Sequence, residues 1–365
     1  MGKMLREIVE ELANSNKKVQ LIYGFNGTGK TRLSKEFKKI IQGEVEENDE
    51  KKLKLIYYNA FTEDLFYWDN DLENDKEFKI KIHPNKFTNW IFKEQGKENE
   101  VVKHFQYYTN NKLSPNFNEE FNEINFSFDR GDERKERFIK ISKGEESVLI
   151  WSIFYSLIEL IIDVLNVAEP SDRETDEFND LEYIFIDDPV TSLDENHLIE
   201  LAVKLAILIK SSESEKLKFI ITTHNPLFYN VLHNELNASK YFIFKNEDGT
   251  YELKKQENDS PFSYHIFLLK ELKKAVETNN IKKYHFNLLR NIYEKTSTFL
   301  GYDNWQELLT KFEGDAKAYW NRIINLSSHS KHSGYEISEL SEQEKKLLIN
   351  LLNQTIEKYN FKLGE

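Results

Sequence analysis

The octet GFNGTGKT, Gly24 to Thr31, lies between the apolar run VQLIY and the segment TRLSKEFKKII. It matches G-x-x-x-x-G-K-[ST] at every position, and a strand before it with a helix after it is the context in which that pattern binds phosphate. No other stretch constrains the fold as much. Such a loop needs a buried strand to deliver it and a helix whose N-terminus faces the anion. Backbone N–H groups of Gly24, Asn26, Gly27, Thr28 and Gly29 form the anion nest. Lys30 reaches the β- and γ-phosphates of a nucleotide, and the Thr31 hydroxyl holds Mg2+.

The rest of the chain supplies a sheet for this loop. KLKLIYYNAF is a second strand candidate. Residues 62–135 are polar and aromatic with weak periodicity and read as an irregular insertion, apart from a short strand at INFSF; RFIKIS reads as another. EESVLIWSIFYSLIELIIDVLNV is a long, nearly all-apolar helix, which must be buried. After an acidic loop come the strand LEYIFID, the helix ENHLIELAVKLAILIKSS, the strand LKFIITT, the helix PLFYNVLHNEL and the strands KYFIFK and TYELKK. Alternating strand and helix argues for an α/β fold with a mixed, mostly parallel sheet. ENDSPFS at 257–263 is a polar, Pro-containing linker. Beyond it, 264–279, 282–300, 303–312, 315–330 and 341–360 read as helices. The expected organisation is an α/β domain over 1–256 and a small all-α domain over 257–365.

A chain of 365 residues accommodates two such domains. The absence of cysteine excludes disulfides and thiolate metal sites and fits a reducing cytoplasm. No apolar run approaches the roughly 20 residues that a membrane span requires. The first residues, MGKMLREIVEELANSNKK, lack the features of a secretory signal. The expectation is a cytoplasmic protein with no membrane partner. Net charge is −13, unevenly placed: from Pro261 onward there are 15 Lys and Arg against 13 Asp and Glu. The acidity belongs to the first part, so the tail can approach phosphate without a large penalty. No long basic run exists, which argues against non-specific duplex binding.

LEYIFIDDP gives the phosphate loop its partner. A hydrophobic strand delivers Asp187 to the sheet edge, where it can bind Mg2+ through water or through Thr31. Asp188 follows as a base for the attacking water. SLD, Ser192 to Asp194, comes soon after, and ITTHN places His224 at the end of the next strand. ISKGEES sets Ser142 at the N-terminus of the long buried helix, where it can meet a phosphate. In this order the set resembles the ABC-type ATPase family: Walker A, signature, Walker B, D-loop and H-loop. The resemblance implies that Ser142 and Gly144 of one subunit cover the γ-phosphate held by another, so that nucleotide joins a head-to-tail homodimer. Asp188 stands where the family usually has Glu, and SKGEE replaces the commoner SGGQ. So few residues precede the loop that the base-stacking strand is missing or altered, which leaves ATP and GTP both open. Asn59 in YYNAF is the candidate for the Q-loop residue. No run of transmembrane segments points to transport, and no heptad arm points to chromosome maintenance.

In HFNLLRNIYEKTSTFL, Arg290 and Glu294 are spaced i,i+4 on one helix face, beside a stripe of Leu289, Ile292 and Phe299. Further on, NRIINLSSHSKHSGYE puts Arg322, Asn325, His329 and His332 on one face if the helix from Asp315 runs that far; Tyr319, Ile323 and Leu326 face the core. Residues of these types suit phosphodiester cleavage. Histidine can move a proton to or from a ribose 2′-OH, and arginine can stabilise the pentacoordinate phosphate, with no metal required.

The whole pattern resembles the bacterial anticodon nucleases of the PrrC/RloC type, which join an ABC-like NTPase to a C-terminal HEPN-type ribonuclease. Their Arg-x-x-x-Glu…His set falls on Arg290, Glu294 and His329. RIINLSSH also fits the broader HEPN pattern, from Arg322 to His329, and IDDPVTSLD is the form of Walker B typical of this branch. His332 is the alternative to His329. The resemblance implies a latent toxin of antiviral defence that cuts tRNA in its anticodon loop under control of ATP or GTP with Mg2+. It also admits a higher oligomer and a regulatory protein partner. The alternative is an ABC-type ATPase subunit that regulates a separate effector nuclease, its tail being a docking module. A compact DNA-repair ATPase is a third reading, disfavoured by the acidic ATPase half and the missing coiled coil.

Overall fold

The computed structural model describes residues 2–43, 53–59, 66–70, 78–83, 88, 90–129, 136–189, 195–246, 248–256, 264–328 and 340–363. The chain divides into two compact units, Met1–Pro261 and Phe262–Glu365.

The first unit is built on six strands: β1 (Val19–Tyr23), β2 (Leu55–Asn59), β8 (Tyr183–Asp187), β9 (Lys218–Thr223), β10 (Ser239–Lys245) and β11 (Tyr251–Lys255). Their order is β11-β10-β1-β9-β8-β2. Every neighbouring pair is parallel except β10 with β11. The central strands β1 and β8 are buried at every position. That is why VQLIY and YIFID are continuous apolar runs rather than alternating ones. The helix α1 (Leu5–Ala13) and the helix α2 (Lys30–Gln42) cover one face. Ile8, Val9 and Leu12 of α1 join Leu33 and Phe37 of α2 over Ile22, Phe185 and Ile220. Helices α5 (Glu195–Ser211) and α6 (Pro226–Glu235) follow β8 and β9 in the right order for parallel crossovers.

Helix α4 (Lys143–Asn166) is apolar almost all round and buried almost all round. Tyr58 of β2 packs its ring against Trp151 at 5.6 Å and Phe154 at 4.5 Å between centroids. This corrects the reading that no apolar run approaches span length. By length and composition α4 could cross a membrane, but 89% of its apolar window is buried inside the protein. It is the central helix of a folded unit.

Residues 62–135 are not irregular where they are described. They hold β3 (Phe66–Asn70), β4 (Phe78–Ile82), helix α3 (Glu98–Tyr108), β5 (Leu113–Phe117) and β6 (Glu123–Phe128). The strands form an antiparallel sheet in the order β3-β4-β6-β5. Phe66, Ile80, Ile82, Ile124, Phe126 and Leu113 are buried, while Tyr67, Lys79, Lys81 and Glu123 alternate with them toward solvent. RFIKIS is not a strand along its length; only β7 (Glu136–Arg137) pairs, with Ser127 and Phe128 of β6. Trp68 ties this sheet to α4. Its Nε1–H donates to Oε2 of the buried Glu146 at 3.1 Å, and Lys143 Nζ meets the same oxygen at 2.9 Å.

The second unit is helical: α7 (Tyr264–Glu277), α8 (Tyr284–Leu300), α9 (Gln306–Leu309), α10 (Ala316–Ser328) and α11 (Glu342–Lys358). The stretch expected as a helix over 303–312 shrinks to the single turn α9. Leu268, Leu269, Phe286, Leu289, Ile292, Leu308, Ile323, Leu348 and Leu351 are buried together in this unit. Tyr293, also buried, stacks on Trp305 at 5.9 Å, and its hydroxyl meets Thr355 Oγ1 at 2.9 Å. Phe299 is not part of the stripe. It is 90% exposed, and the buried face of α8 runs instead through His285, Phe286, Leu289, Ile292, Tyr293 and Thr296.

Candidate active sites

Parallel pairing decides where the first site lies. The phosphate loop leaves the C-terminal end of β1, and β9, β8 and β2 end beside it. Tyr23 pairs with Thr223, Thr222 with Asp187, and Asp187 with Asn59. All the polar residues singled out in these segments therefore gather at one edge, the place where ligands bind in open α/β sheets.

The loop closes on itself. Gly24 N–H donates to Thr223 O at 3.0 Å, and Thr28 Oγ1 donates to Phe25 O at 2.7 Å. Asn26 and Gly27 form the turn at its tip, and Gly27 has a positive φ of 83°. Gly29 caps α2 with φ of 97°, and a Cβ there would lie 2.6 Å from the Tyr251 ring. Only glycine meets both demands. Lys30 is buried, and its Nζ donates to Gly24 O at 2.9 Å and Phe25 O at 3.2 Å while standing 3.5 Å from Asp188 Oδ2. Thr31 lies in the first turn of α2.

The two carboxylates at the end of β8 have different surroundings. Asp187 is 1% exposed. Its Oδ1 accepts from Thr222 Oγ1 at 2.6 Å, and its Oδ2 accepts from Ser34 Oγ at 3.1 Å and from Tyr57 OH at 3.3 Å. Asp188 adopts a left-handed backbone with φ of 50°, uncommon for a residue with a Cβ. That turn aims its side chain at the end of β9. Its Oδ1 lies 3.3 Å from Thr223 Oγ1 and from His224 N, and its Oδ2 lies 2.5 Å from His224 Nδ1. Lys30, Asp188 and His224 thus form one continuous polar cluster. Oxygen donors of the Thr31 and Asp187 kind suit Mg2+, which is usually held by one or two carboxylates plus nucleotide phosphates. Among the described residues no group of three or more His, Asp or Glu gathers as a metal cage.

Ser142 is the N-cap of α4, with its Oγ accepting from Glu145 N at 3.2 Å and its N–H donating to Glu145 Oε2 at 2.7 Å. Gly144 follows in the first turn, so the helix presents N–H groups there. Asn59 ends β2 beside Asp187. Ser192, Leu193 and Asp194 lie outside the described residues. Ser34, Tyr57, Thr222 and Thr223 were not singled out in the sequence. Ser34 falls one helical turn beyond Thr31, and Tyr57 shares a strand face with Asn59, but no motif marks either hydroxyl.

In the helical unit, Arg290 Nε donates to Glu294 Oε1 at 2.8 Å, with the two side chains 38% and 45% exposed. Both are half-buried and flank the buried stripe of α8, Arg290 next to Phe286, Tyr293 and Ser297 on the helix surface. Helix α10, packed against α8, turns Ile323 inward and leaves Arg322 and Asn325 exposed. Tyr319 and Leu326 are only partly buried; Ile323 is the buried residue of that stretch, helped by Trp320 against Trp305 at 6.1 Å between centroids. Arg322 lies near the first turn of α11, where Glu344 is held below the usual carboxylate range, chiefly by hydrogen bonds from Ser341 and less by Arg322 and Lys283. Helix α10 is described as far as Ser328; His329 and His332 lie outside the described residues.

Three comparisons bear on this arrangement. The AAA domain family matches residues 97–353. Among solved structures, the Smc head bound to the C-winged helix domain of ScpA is 10% identical, with a TM-score of 0.35 over 66% of this chain and 90% of that one. The complex of archaeal ribosomal stalk protein aP1 with ribosome recycling factor aABCE1 gives 16% identity and a TM-score of 0.33 over 66% and 39%. A protein of Escherichia coli called anticodon nuclease is 50% identical over 386 aligned residues, covering 96% of each chain. With an AAA domain matched over residues 97–353 and 50% identity across 96% of both chains, the chain belongs to the anticodon nuclease family.

Proposed function

We propose that this chain is a nucleotide-regulated endoribonuclease that cuts tRNA in its anticodon loop, as part of antiviral defence in the cytoplasm. What supports the reading is 50% identity to an anticodon nuclease over 96% of both chains, on a chain that carries the Arg290–Glu294 pair on a half-exposed helix face.

In the first unit, the loop from Gly24 to Thr31 holds the phosphates of ATP or GTP. Thr31 and Asp187 hold the accompanying Mg2+, which neutralises phosphate charge when bound. Asp188 orients water for hydrolysis and His224 orients Asp188. Ser142 and Gly144 of a second copy complete the site, so the working form is a homodimer. In the helical unit, a HEPN-like domain, Arg290 stabilises the dianionic phosphate while Glu294 fixes the guanidinium. His329 takes the 2′-OH proton. The 2′-oxygen then attacks phosphorus, the P–O5′ bond breaks, and the 5′-oxygen takes a proton from water, giving a 2′,3′-cyclic phosphate and a 5′-OH. A single-stranded anticodon loop exposes such a 2′-OH.

The second reading is an ATPase subunit that regulates a separate nuclease. One observation favours it: Arg290 and Glu294 close on each other as ordinary i,i+4 surface pairs do. Incubating the purified chain with total tRNA and ATP or GTP, then mapping the ends, separates the two. Cyclic phosphate and 5′-OH ends that vanish in Arg290→Ala and His329→Ala are expected. Ends with 3′-OH and 5′-phosphate, or cutting that survives both substitutions, overturn the assignment.

A further inference from the structure

We infer that Tyr57 and Ser34 are positioning residues for Asp187, fixing the carboxylate through which the first unit takes up magnesium nucleotide. The inference rests on the reading of Asp187 as a magnesium-side residue, and adds two groups that no sequence motif marks.

The carboxylate of Asp187 is clamped by hydroxyls from three different elements. Thr222 on β9 holds Oδ1, while Ser34 on α2 and Tyr57 on β2 both hold Oδ2. Asp187 and Ser34 are almost wholly removed from solvent, so water cannot replace a missing donor cheaply. Thr222 alone leaves the carboxylate free to turn about its last torsion, which is broad and roughly two-fold. A second oxygen held from the opposite side removes that freedom.

Proton counting singles out Tyr57. Ser34 Oγ has one proton and three acceptors in reach: Thr31 O at 3.0 Å, Tyr57 OH at 3.1 Å and Asp187 Oδ2 at 3.1 Å. It can satisfy only one at a time. If Ser34 donates to the Thr31 carbonyl or to Tyr57, only the Tyr57 proton keeps Oδ2 bonded. The phenol is therefore the donor that can hold Oδ2 whenever Ser34 donates elsewhere. Ser34 links that donor to Thr31 itself, so the hydroxyl pair spans both residues assigned to the cation. Groups that orient a metal-side carboxylate in this way commonly change metal affinity by about 10- to 100-fold when removed.

Tyr57→Phe removes the hydroxyl and keeps the ring that packs beside Phe185, with centroids 6.2 Å apart. The test is the binding of a fluorescent ATP analogue by the full chain, titrated with Mg2+ and repeated in EDTA. Wild type should bind more tightly with Mg2+, and Asp187→Asn should lose that gain. Tyr57→Phe should raise the half-saturating Mg2+ by about tenfold or more, with its EDTA affinity and melting temperature close to wild type. Ser34→Ala should shift it in the same direction by less. If Asp187→Asn loses the gain and Tyr57→Phe stays within twofold of wild type, the positioning role is wrong while the reading of Asp187 stands. If Tyr57→Phe weakens binding equally in EDTA, the hydroxyl is only structural and the inference fails. If wild type shows no gain from Mg2+, or Asp187→Asn keeps it, both fail.

Discussion

The Arg290–Glu294 pair offers the cleanest separation between a structural and a chemical role. It is a half-exposed i,i+4 pair, bonded through Nε at 2.8 Å with side chains 38% and 45% exposed. Pairs of that kind contribute about 0.3–0.5 kcal/mol to stability. Alanine is also the better helix former, which offsets part of the loss. Loss of the Glu294 pairing should therefore cost no more than about 0.5 kcal/mol, or roughly 2–4 °C in melting temperature for a unit of this size. The same guanidinium, stabilising a dianionic phosphate, should matter far more to the rate. Removing one such donor typically costs about 10²- to 10³-fold.

The assay pairs a thermal melt with single-turnover cutting of tRNA by wild type, Arg290→Ala and Glu294→Gln. Arg6→Ala is the control. It breaks another i,i+4 pair, Arg6 Nε to Glu10 Oε1 at 3.3 Å, in α1. Arg290→Ala should melt like the control and cut at least about 100-fold more slowly. Cutting within tenfold of wild type refutes the chemical role. A loss of more than about 2 kcal/mol would mean that the pair is structural, and the magnitude argued from its exposure would be wrong.

Two further outcomes follow from buried groups. Lys30→Ala should abolish nucleotide binding, read by fluorescent ATP analogue, yet leave far-UV circular dichroism unchanged; unchanged affinity removes the ammonium from the phosphate site. His285 is buried at the start of α8, where Lys282 N–H donates to its Nδ1 at 2.8 Å. Burial, with some help from the charge of Lys282, pushes its imidazole down to about 4. The unfolded chain, titrating near 6.5, takes up the proton first, so the helical unit keeps its full stability above about 6.5 and loses it as pH falls toward 4. The loss is at most about 3 kcal/mol, and His285→Asn should flatten this part of the melting-temperature profile.

Much of this arrangement was legible in the sequence, for identifiable reasons. VQLIY, LEYIFID and LKFIITT are continuous apolar runs because parallel strands are buried on both faces, and they deliver the phosphate loop, Asp187 and His224 at or just beyond their ends. Gly29 was legible because a positive φ and the close approach of Tyr251 leave no room for a Cβ. The antiparallel sheet of residues 66–128 was not, although FKIKI and EINFSF alternate. Its strands are short, the five residues between β5 and β6 carry no Gly or Pro turn signal, and a helix intervenes between β4 and β5. Phe299 misled because helical spacing was counted from Ile292 along an edge of the stripe, and α8 keeps its buried face elsewhere. Ser34 and Tyr57 were invisible for a different reason: hydroxyl residues on a helix and a strand carry no pattern until the fold brings both to one carboxylate.

The two candidate sites hold their charges in opposite ways, and that governs what a bound nucleotide can change. Arg290 and Glu294 are half exposed and bond to each other at 2.8 Å. Lys30 and Asp188 lie inside a closed network, with Nζ on two loop carbonyls and 3.5 Å from the carboxylate. A phosphate in the loop competes with those carbonyls and with Asp188 for the same ammonium. Once Lys30 turns to phosphate, Thr223 and His224 remain as the partners of Asp188. The carboxylate, released from the lysine charge and still aimed by a left-handed backbone, then has an oxygen available for water. On the function proposed for this edge, exchange of the Lys30–Asp188 pair for a lysine–phosphate pair is the step that would distinguish its empty and loaded states.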